Sequence, residues 1–187
     1  MSAAAFEARY RAQGDPWRTL SDPVERAKAQ AALAACGPGP FDTVCDLGAG
    51  LGVLAAALAP RSGRLLALDA APTAVAAAAE RLAPWPHAEA RVAVLPDDLP
   101  AGPFELVVAS EILYYLPQRA LDATLDWLDR AVVPGGRVVA VHWLGHAADL
   151  HHSADDVHDA LARRPRLEPT ATTRAPTYRL DMLVAGR

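Results

Sequence analysis

The residues best placed to do chemistry are two carboxylates and a run of glycines. Asp46-Leu47-Gly48-Ala49-Gly50-Leu51-Gly52 leaves a short apolar segment ending in an acid and enters an alanine-rich one. Glycines at a strand-to-helix turn allow unusual dihedrals and let a ligand approach the backbone closely. A dinucleotide fingerprint, G-x-G-x-x-G counted from Gly48, needs glycine where this chain has Val53. No G-K-S or G-K-T follows, which excludes a phosphate-cradling P-loop. Asp46, two positions ahead of the loop, would repel a pyrophosphate and suits a cationic group. Asp69 lies 23 residues further on, where a carboxylate can accept two ribose hydroxyls. An acid, a glycine loop and a second acid describe a site for a nucleoside carrying an amino-acid tail.

The elements that must position these residues alternate between strand and helix. The spacing predicts a helix over residues 3–13, stopped by Gly14-Asp15-Pro16. A second helix runs from Pro23 to about Cys36, with Asp22 capping and Glu25 three residues on, as a capping box requires. Phe41–Asp46 reads as the first strand, followed by a helix over about 51–59. Arg64–Asp69 is the second strand, Pro72–Leu82 a helix, Val92–Leu95 the third strand and Phe104–Ser110 the fourth. Residues 118–131 are amphipathic, with Ala120, Leu121, Thr124, Leu125 and Leu128 on one side. Pro134-Gly135-Gly136 turns the chain into a fifth strand, Arg137–Trp143, and Ser153 with Asp156 can cap a further helix. Two closing strands, about 167–174 and 177–185, have no helix between them and should form an antiparallel hairpin. The alternation implies a parallel sheet covered by helices on both faces.

Together these stretches resemble the class I S-adenosylmethionine-dependent methyltransferases. The glycine loop resembles that family's first motif and Leu66-Ala67-Leu68-Asp69 its second. Phe104-Glu105-Leu106-Val107-Val108 resembles the fourth strand, and Pro134-Gly135-Gly136-Arg137-Val138 the turn before the fifth. A narrower resemblance, to the NodS-like methyltransferases, rests on three groups of residues. The first is Tyr10-Arg11, Asp15-Pro16-Trp17, Ser21, Glu25 and Lys28. The second is Ser110 to Leu116, and the third Val141-His142-Trp143 with Val157-His158. Val24 and Leu144 depart from it, standing where an aromatic and an arginine are usual.

The resemblance implies an α/β, Rossmann-like three-layer sandwich, with a seven-stranded, mostly parallel sheet ending in the antiparallel hairpin. Residues 1–187 would form a single domain, 1–40 as an N-terminal helical cap and 41–187 as the cofactor-binding core. It implies S-adenosylmethionine as cofactor, S-adenosylhomocysteine as product, and no metal. Gly48, Ala49 and Gly50 would line the cofactor through their backbone, Asp46 would attract its ammonium, and Asp69 would take the ribose beside Ala70. Asp97 would meet the adenine amino group, Ser110 the methionine part, and Trp17 with Tyr10 would close over the top. Glu111 would orient an acceptor amine or take its proton, with Tyr10, Tyr114 and Trp143 as acceptor contacts. His142 is a candidate general base, since an imidazole titrates near neutrality. NodS-like type members N-methylate the free amine of a deacetylated chitin oligosaccharide, so the implied acceptor is an amine such as an amino sugar. O- or C-methylation on the same fold stands as the alternative, with a non-catalytic or NAD-binding protein as more distant ones.

Composition excludes other classes. With 52% hydrophobic and 21% charged residues the 187-residue chain is not disordered. A net charge of −4 argues against nucleic acid or an anionic membrane as partner. The longest run without an ionised residue other than histidine, Leu47–Pro60, is too short to span a bilayer, and the first residues lack a secretory pattern. Cys36 and Cys45 read as reduced thiols, so a cytoplasmic protein, monomer or homodimer, is expected. Five of the six histidines fall between 142 and 158 without ligand spacing that supports a metal.

Overall fold

The computed structural model describes residues 1–186. Two helices, α1 (Ala3–Gln13) and α2 (Pro23–Cys36), lead into β1 (Phe41–Leu47), α3 (Val53–Leu58), β2 (Ser62–Asp69) and α4 (Pro72–Leu82). They are followed by β3 (Ala88–Val92), β4 (Phe104–Ser110), a 3₁₀ turn (Leu113–Tyr115), α5 (Gln118–Ala131) and β5 (Val132–Trp143). The chain closes with α6 (Ala154–Ala162), β6 (Leu167–Arg174) and β7 (Tyr178–Ala185).

The sheet order is β3-β2-β1-β4-β5-β7-β6. The first five strands in that order run parallel, and β7 pairs antiparallel with both β5 and β6. The expected seven-stranded sheet and terminal hairpin are therefore present. Strand alternation sorts the side chains between two cores. Cys45, Leu47, Val107, Ala109 and Val138 pack under α5 and α6. Val44, Leu65, Leu106, Val108 and Val139 pack against α2 and α3. Each fully buried Leu or Val contributes ~1.5–3 kcal/mol relative to exposure, so this two-sided burial is the main stabilising term. The order reverses between β1 and β4, and a ligand crevice is expected beyond the carboxyl ends of strands at such a switch point.

Local signals explain the helix ends. Asp22 accepts the Val24 amide at 2.8 Å and Pro23 occupies the first turn of α2. Glu25 does not complete the expected capping box; its carboxylate pairs with Lys28 instead. At α6 the reciprocal box forms, with Ser153 and Asp156 each bonded to the other's amide. In α5, Leu121, Thr124, Leu125 and Leu128 are buried as the periodicity requires.

Three boundaries differ from the sequence expectation. The third strand is Ala88–Val92 rather than Val92–Leu95. Ala88-Glu89-Ala90-Arg91 pairs with β2 along the sheet edge, while the Val94 amide is taken by Asp98 at 2.9 Å and so leaves the ladder. The first part of the expected 51–59 helix is a turn, because Gly52 sits in the left-handed region at φ 75° and α3 begins only at Val53. β5 starts at Val132, and Pro134-Gly135-Gly136 is an irregularity within the strand. The register against β4 jumps there from Phe104↔Val132 to Leu106↔Arg137.

Candidate active site

A cavity of about 420 Å³ opens at the carboxyl ends of β1, β2 and β4. The glycine loop forms its floor. Gly48 (φ 68°) and Gly50 (φ 52°) hold left-handed conformations, and the Ala49 amide donates to the Leu68 carbonyl at 2.9 Å. A Cβ on Gly48 would lie 2.7 Å from Ile112 Cβ, and one on Gly50 would lie 2.8 Å from the Tyr10 hydroxyl. Only glycine leaves this floor open.

Asp69 ties the loop to β2. Its Oδ2 accepts the Gly50 amide and its Oδ1 the Ala71 amide, both at 2.9 Å. Burial raises its pKa, and those amides offset part of the rise. Asp46 is 1% exposed, and neither of its carboxylate oxygens has a hydrogen-bond partner among the described residues. Burial, and then the Asp69 charge, lift its pKa to about 7. A buried carboxylate without partners is costly and marks a place where a cationic donor is wanted.

The opposite wall carries a charge cluster. Lys28 is 5% exposed, and its ammonium lies 2.7 Å from Glu111 Oε1 and 2.8 Å from Glu25 Oε2. The Tyr114 hydroxyl donates to Glu111 Oε2. Glu111 itself has φ 58°, a left-handed conformation uncommon outside glycine. Aromatic side chains from α1, the turn that follows it and the 3₁₀ turn cover the cavity, with Phe6 stacked edge-on against Tyr115 at 5.0 Å and Tyr10 against Trp17 at 5.3 Å. Arg9 reaches Asp149 at 3.3 Å and lies over Trp17. The charged lining holds five carboxylates and two cations, so the cavity favours a positively charged occupant.

Most of the residues singled out in the sequence meet here. Trp17, Asp46, Gly48, Ala49, Gly50, Asp69 and Ser110 line the cavity, as do Tyr10, Glu111, Tyr114 and Trp143. Three do not. Ala70 is half-buried but outside the lining. Asp97 is exposed on the loop between β3 and β4, away from the cavity, because β3 ends earlier than expected and that loop turns on Asp98. His142 is fully buried behind the wall, its ring edge-on to Tyr114 at 4.9 Å. Its Nε2 accepts the Leu113 amide and its Nδ1 meets His158, so it has no free nitrogen with which to reach an acceptor and is not placed to act as the general base expected from the sequence. Alternation predicts this: His142 shares a strand face with Val138 and Ala140, under α6. The Lys28–Glu111 pair joins α2 to the end of β4 and carries no signal in sequence spacing; each residue stands in a stretch that carries the NodS-like resemblance, but nothing in the sequence pairs them.

Residues 45–138 match a family model described as a methyltransferase domain. Nodulation protein S of Rhizobium tropici is 32% identical over 130 residues, which cover 68% of this chain and 55% of that protein. The chain thus spans little more than half the length of that relative. A structure from Pseudomonas syringae, proposed to be a methyltransferase, is 33% identical with a TM-score of 0.75, covering 86% of this chain and 98% of that one. The N-methyltransferase NodS from Bradyrhizobium japonicum, solved with S-adenosyl-L-homocysteine, superposes over the full length of both chains with a TM-score of 0.88 at 23% identity. At that identity it establishes the shared fold.

Proposed function

The chain belongs to the methyltransferase-domain family, and on that footing we propose that it transfers a methyl group from S-adenosylmethionine to the nitrogen of an amine-bearing small molecule such as a deacetylated chito-oligosaccharide. The observation that carries this reading is Asp46: a buried carboxylate with both oxygens unpartnered among the described residues, facing the switch-point cavity beside a glycine floor. That set fits the cofactor. Asp46 would hold the ammonium, the Gly48–Gly50 backbone would pass alongside, and Asp69 would meet the ribose hydroxyls. Ser110 would contact the amino-acid part, with Trp17 and Tyr10 as cover. When bound, S-adenosylmethionine supplies a methyl group already activated by its sulfonium.

The chain's own contribution is then binding, orientation and exclusion of water. Holding a nucleophile in line can supply ~7–11 kcal/mol of barrier lowering. The Phe6, Tyr10, Trp17 and Tyr115 rings exclude water from the donor side. The Glu111 carboxylate, backed by Lys28 and fixed by the Tyr114 hydroxyl, orients the acceptor amine and receives its proton at Oε2 as Tyr114 yields that contact. Trp143, 38% exposed at the mouth, offers an apolar face to the body of the acceptor. Excess carboxylate in the lining favours an amine over a neutral hydroxyl.

The test is methyl incorporation from labelled S-adenosylmethionine into deacetylated chito-oligosaccharides, with fully N-acetylated oligomers as the control. Label confined to the deacetylated set supports the reading. Equal labelling of both would redirect it to oxygen, and calorimetry showing no binding of S-adenosylhomocysteine would overturn it.

A further inference from the structure

Behind the Glu111 wall lies a chain of polar groups that the proposed reaction does not use directly. The Leu113 amide is 3.2 Å from His142 Nε2, His142 Nδ1 is 3.0 Å from His158 Nε2, and His158 Nδ1 is 2.8 Å from Asp181 Oδ2. Arg179 closes the far end, 3.1 Å from the same carboxylate oxygen. Both histidines are 0% exposed and Asp181 is 2% exposed. The chain crosses four elements: the 3₁₀ turn, β5, α6 and β7.

One group fixes the direction of every bond. A backbone amide can only donate, so His142 Nε2 must accept and its proton must sit on Nδ1. That proton points at His158 Nε2, which must therefore also accept, placing the second proton on Nδ1, aimed at the Asp181 carboxylate. Both imidazoles are neutral and carry the same tautomer. Burial holds the His142 pKa well below the ordinary imidazole range and keeps it an acceptor.

The held amide lies two residues beyond Glu111. Glu111 keeps its left-handed φ of 58° between two anchors: its own amide donates to the Val141 carbonyl at 2.9 Å, and the Leu113 amide donates to His142. The His151 amide holds the Tyr114 carbonyl at 2.9 Å on the far side, so losing the second anchor frees the stretch between Glu111 and Tyr114, letting Glu111 relax toward a commoner conformation and shift its carboxylate, with the Tyr114 contact, on the cavity wall. We propose that His142, His158 and Asp181 are positioning residues, a one-way hydrogen-bond relay that sets Glu111 and Tyr114 against the acceptor. The inference rests on the amine-methylation reading for its kinetic consequence and on geometry alone for the relay.

Two measurements test it. Nitrogen NMR of the unaltered full chain should find both imidazoles neutral and protonated at Nδ1; a proton on Nε2 of either ring, or an imidazolium at neutral pH, overturns the relay without any variant. Asp181→Leu removes the final acceptor, whereas Asp181→Asn keeps an accepting oxygen and discards only the charge. The Leu variant should lose about tenfold in kcat on deacetylated chito-oligosaccharide, as one hydrogen bond of about 1.4 kcal/mol would give. Its S-adenosylhomocysteine affinity should be unchanged, and the Asn variant should recover most of the loss. Equal damage in both variants, or damage only to cofactor affinity, overturns the positioning role. An unaltered chain that methylates no amine would sink the functional reading, and the tautomers would still decide the relay.

Discussion

Lys28 and Glu111 meet on the cavity wall at 2.7 Å, joining the second helix to the end of the fourth strand. Lys28 is 5% exposed and its ammonium also holds Glu25, so one cation balances two carboxylates. Removing it leaves two partly buried acids facing each other. Lys28→Met should lower stability by about 1–3 kcal/mol, less than a fully buried pair would cost because the carboxylates are a quarter exposed. Burial opposes the charge on Lys28, but Glu111 and then Glu25 outweigh it and its pKa is raised. A raised lysine contributes fully below its unfolded value of about 10.4 and loses the contribution only as pH rises through the folded value. The stability gap in urea unfolding should therefore be flat from about pH 6 to about pH 9 and close only in alkali. A gap that shrinks within the neutral range would contradict the assignment.

Glu111 is the remaining candidate for the acceptor's proton. Glu111→Gln keeps the size of the side chain and an oxygen for the Tyr114 hydroxyl while removing the proton acceptor. Turnover should fall by about a hundredfold, the lower end of what a positioned acid or base supplies, with S-adenosylhomocysteine affinity within about twofold of the unaltered chain. A loss smaller than about threefold would leave the amine to shed its proton to water and reduce Glu111 to a binding contact.

Much of this arrangement is legible in the sequence because the signals are local. The Asp22-Pro23 start of α2, the apolar spacing of α5 and the Gly48–Gly52 loop each depend on residues close in the chain, and each appears where the sequence places it. The third strand is missed because an edge strand needs no apolar run: Ala88-Glu89-Ala90-Arg91 pairs through its backbone, while the apolar Val92 and Val94 are 46% and 41% exposed. His142 is misread because standing at a strand's carboxyl end does not say which face a side chain takes. Lys28 and Glu111 lie far apart in sequence, and only the packing of α2 on the sheet brings them together.

Gly52 separates two costs that glycine avoids. Its φ is 75°, and a Cβ there would lie 2.9 Å from the Ala78 Cβ and 3.0 Å from the Ala78 Cα, where α3 crosses α4. Gly135 has φ 80° with nothing within 4 Å of the same position. Gly135→Ala should cost about 1 kcal/mol from backbone strain alone. Gly52→Ala adds a clash with rigid backbone and should cost about 2–3 kcal/mol in thermal unfolding. Equal losses would mean that the α3–α4 contact relaxes freely.

Asp46 links stability to ligand affinity with opposite signs. Its folded pKa of about 7 lies above the ordinary aspartate value, because burial and then Asp69 disfavour the ionised form. A carboxyl raised in this way contributes most to folding below its unfolded pKa of about 3.9, and that contribution is lost as pH rises to the folded value. Above about pH 7 the native state carries a buried charge with no hydrogen-bond partner among the described residues. Asp46→Asn removes that cost and should raise the melting temperature of the ligand-free protein at neutral pH. A bound ammonium reverses the balance by favouring the ionised form, so binding below about pH 7 must release a proton. S-adenosylhomocysteine affinity measured by calorimetry should therefore rise between about pH 5 and about pH 7, approaching tenfold per pH unit on the acid side, and then level off. In Asp46→Asn the affinity should be weaker and this rise should disappear. An Asn variant that binds as tightly and keeps the slope would move the ammonium contact elsewhere in the cavity, with Asp69 the next carboxylate to test.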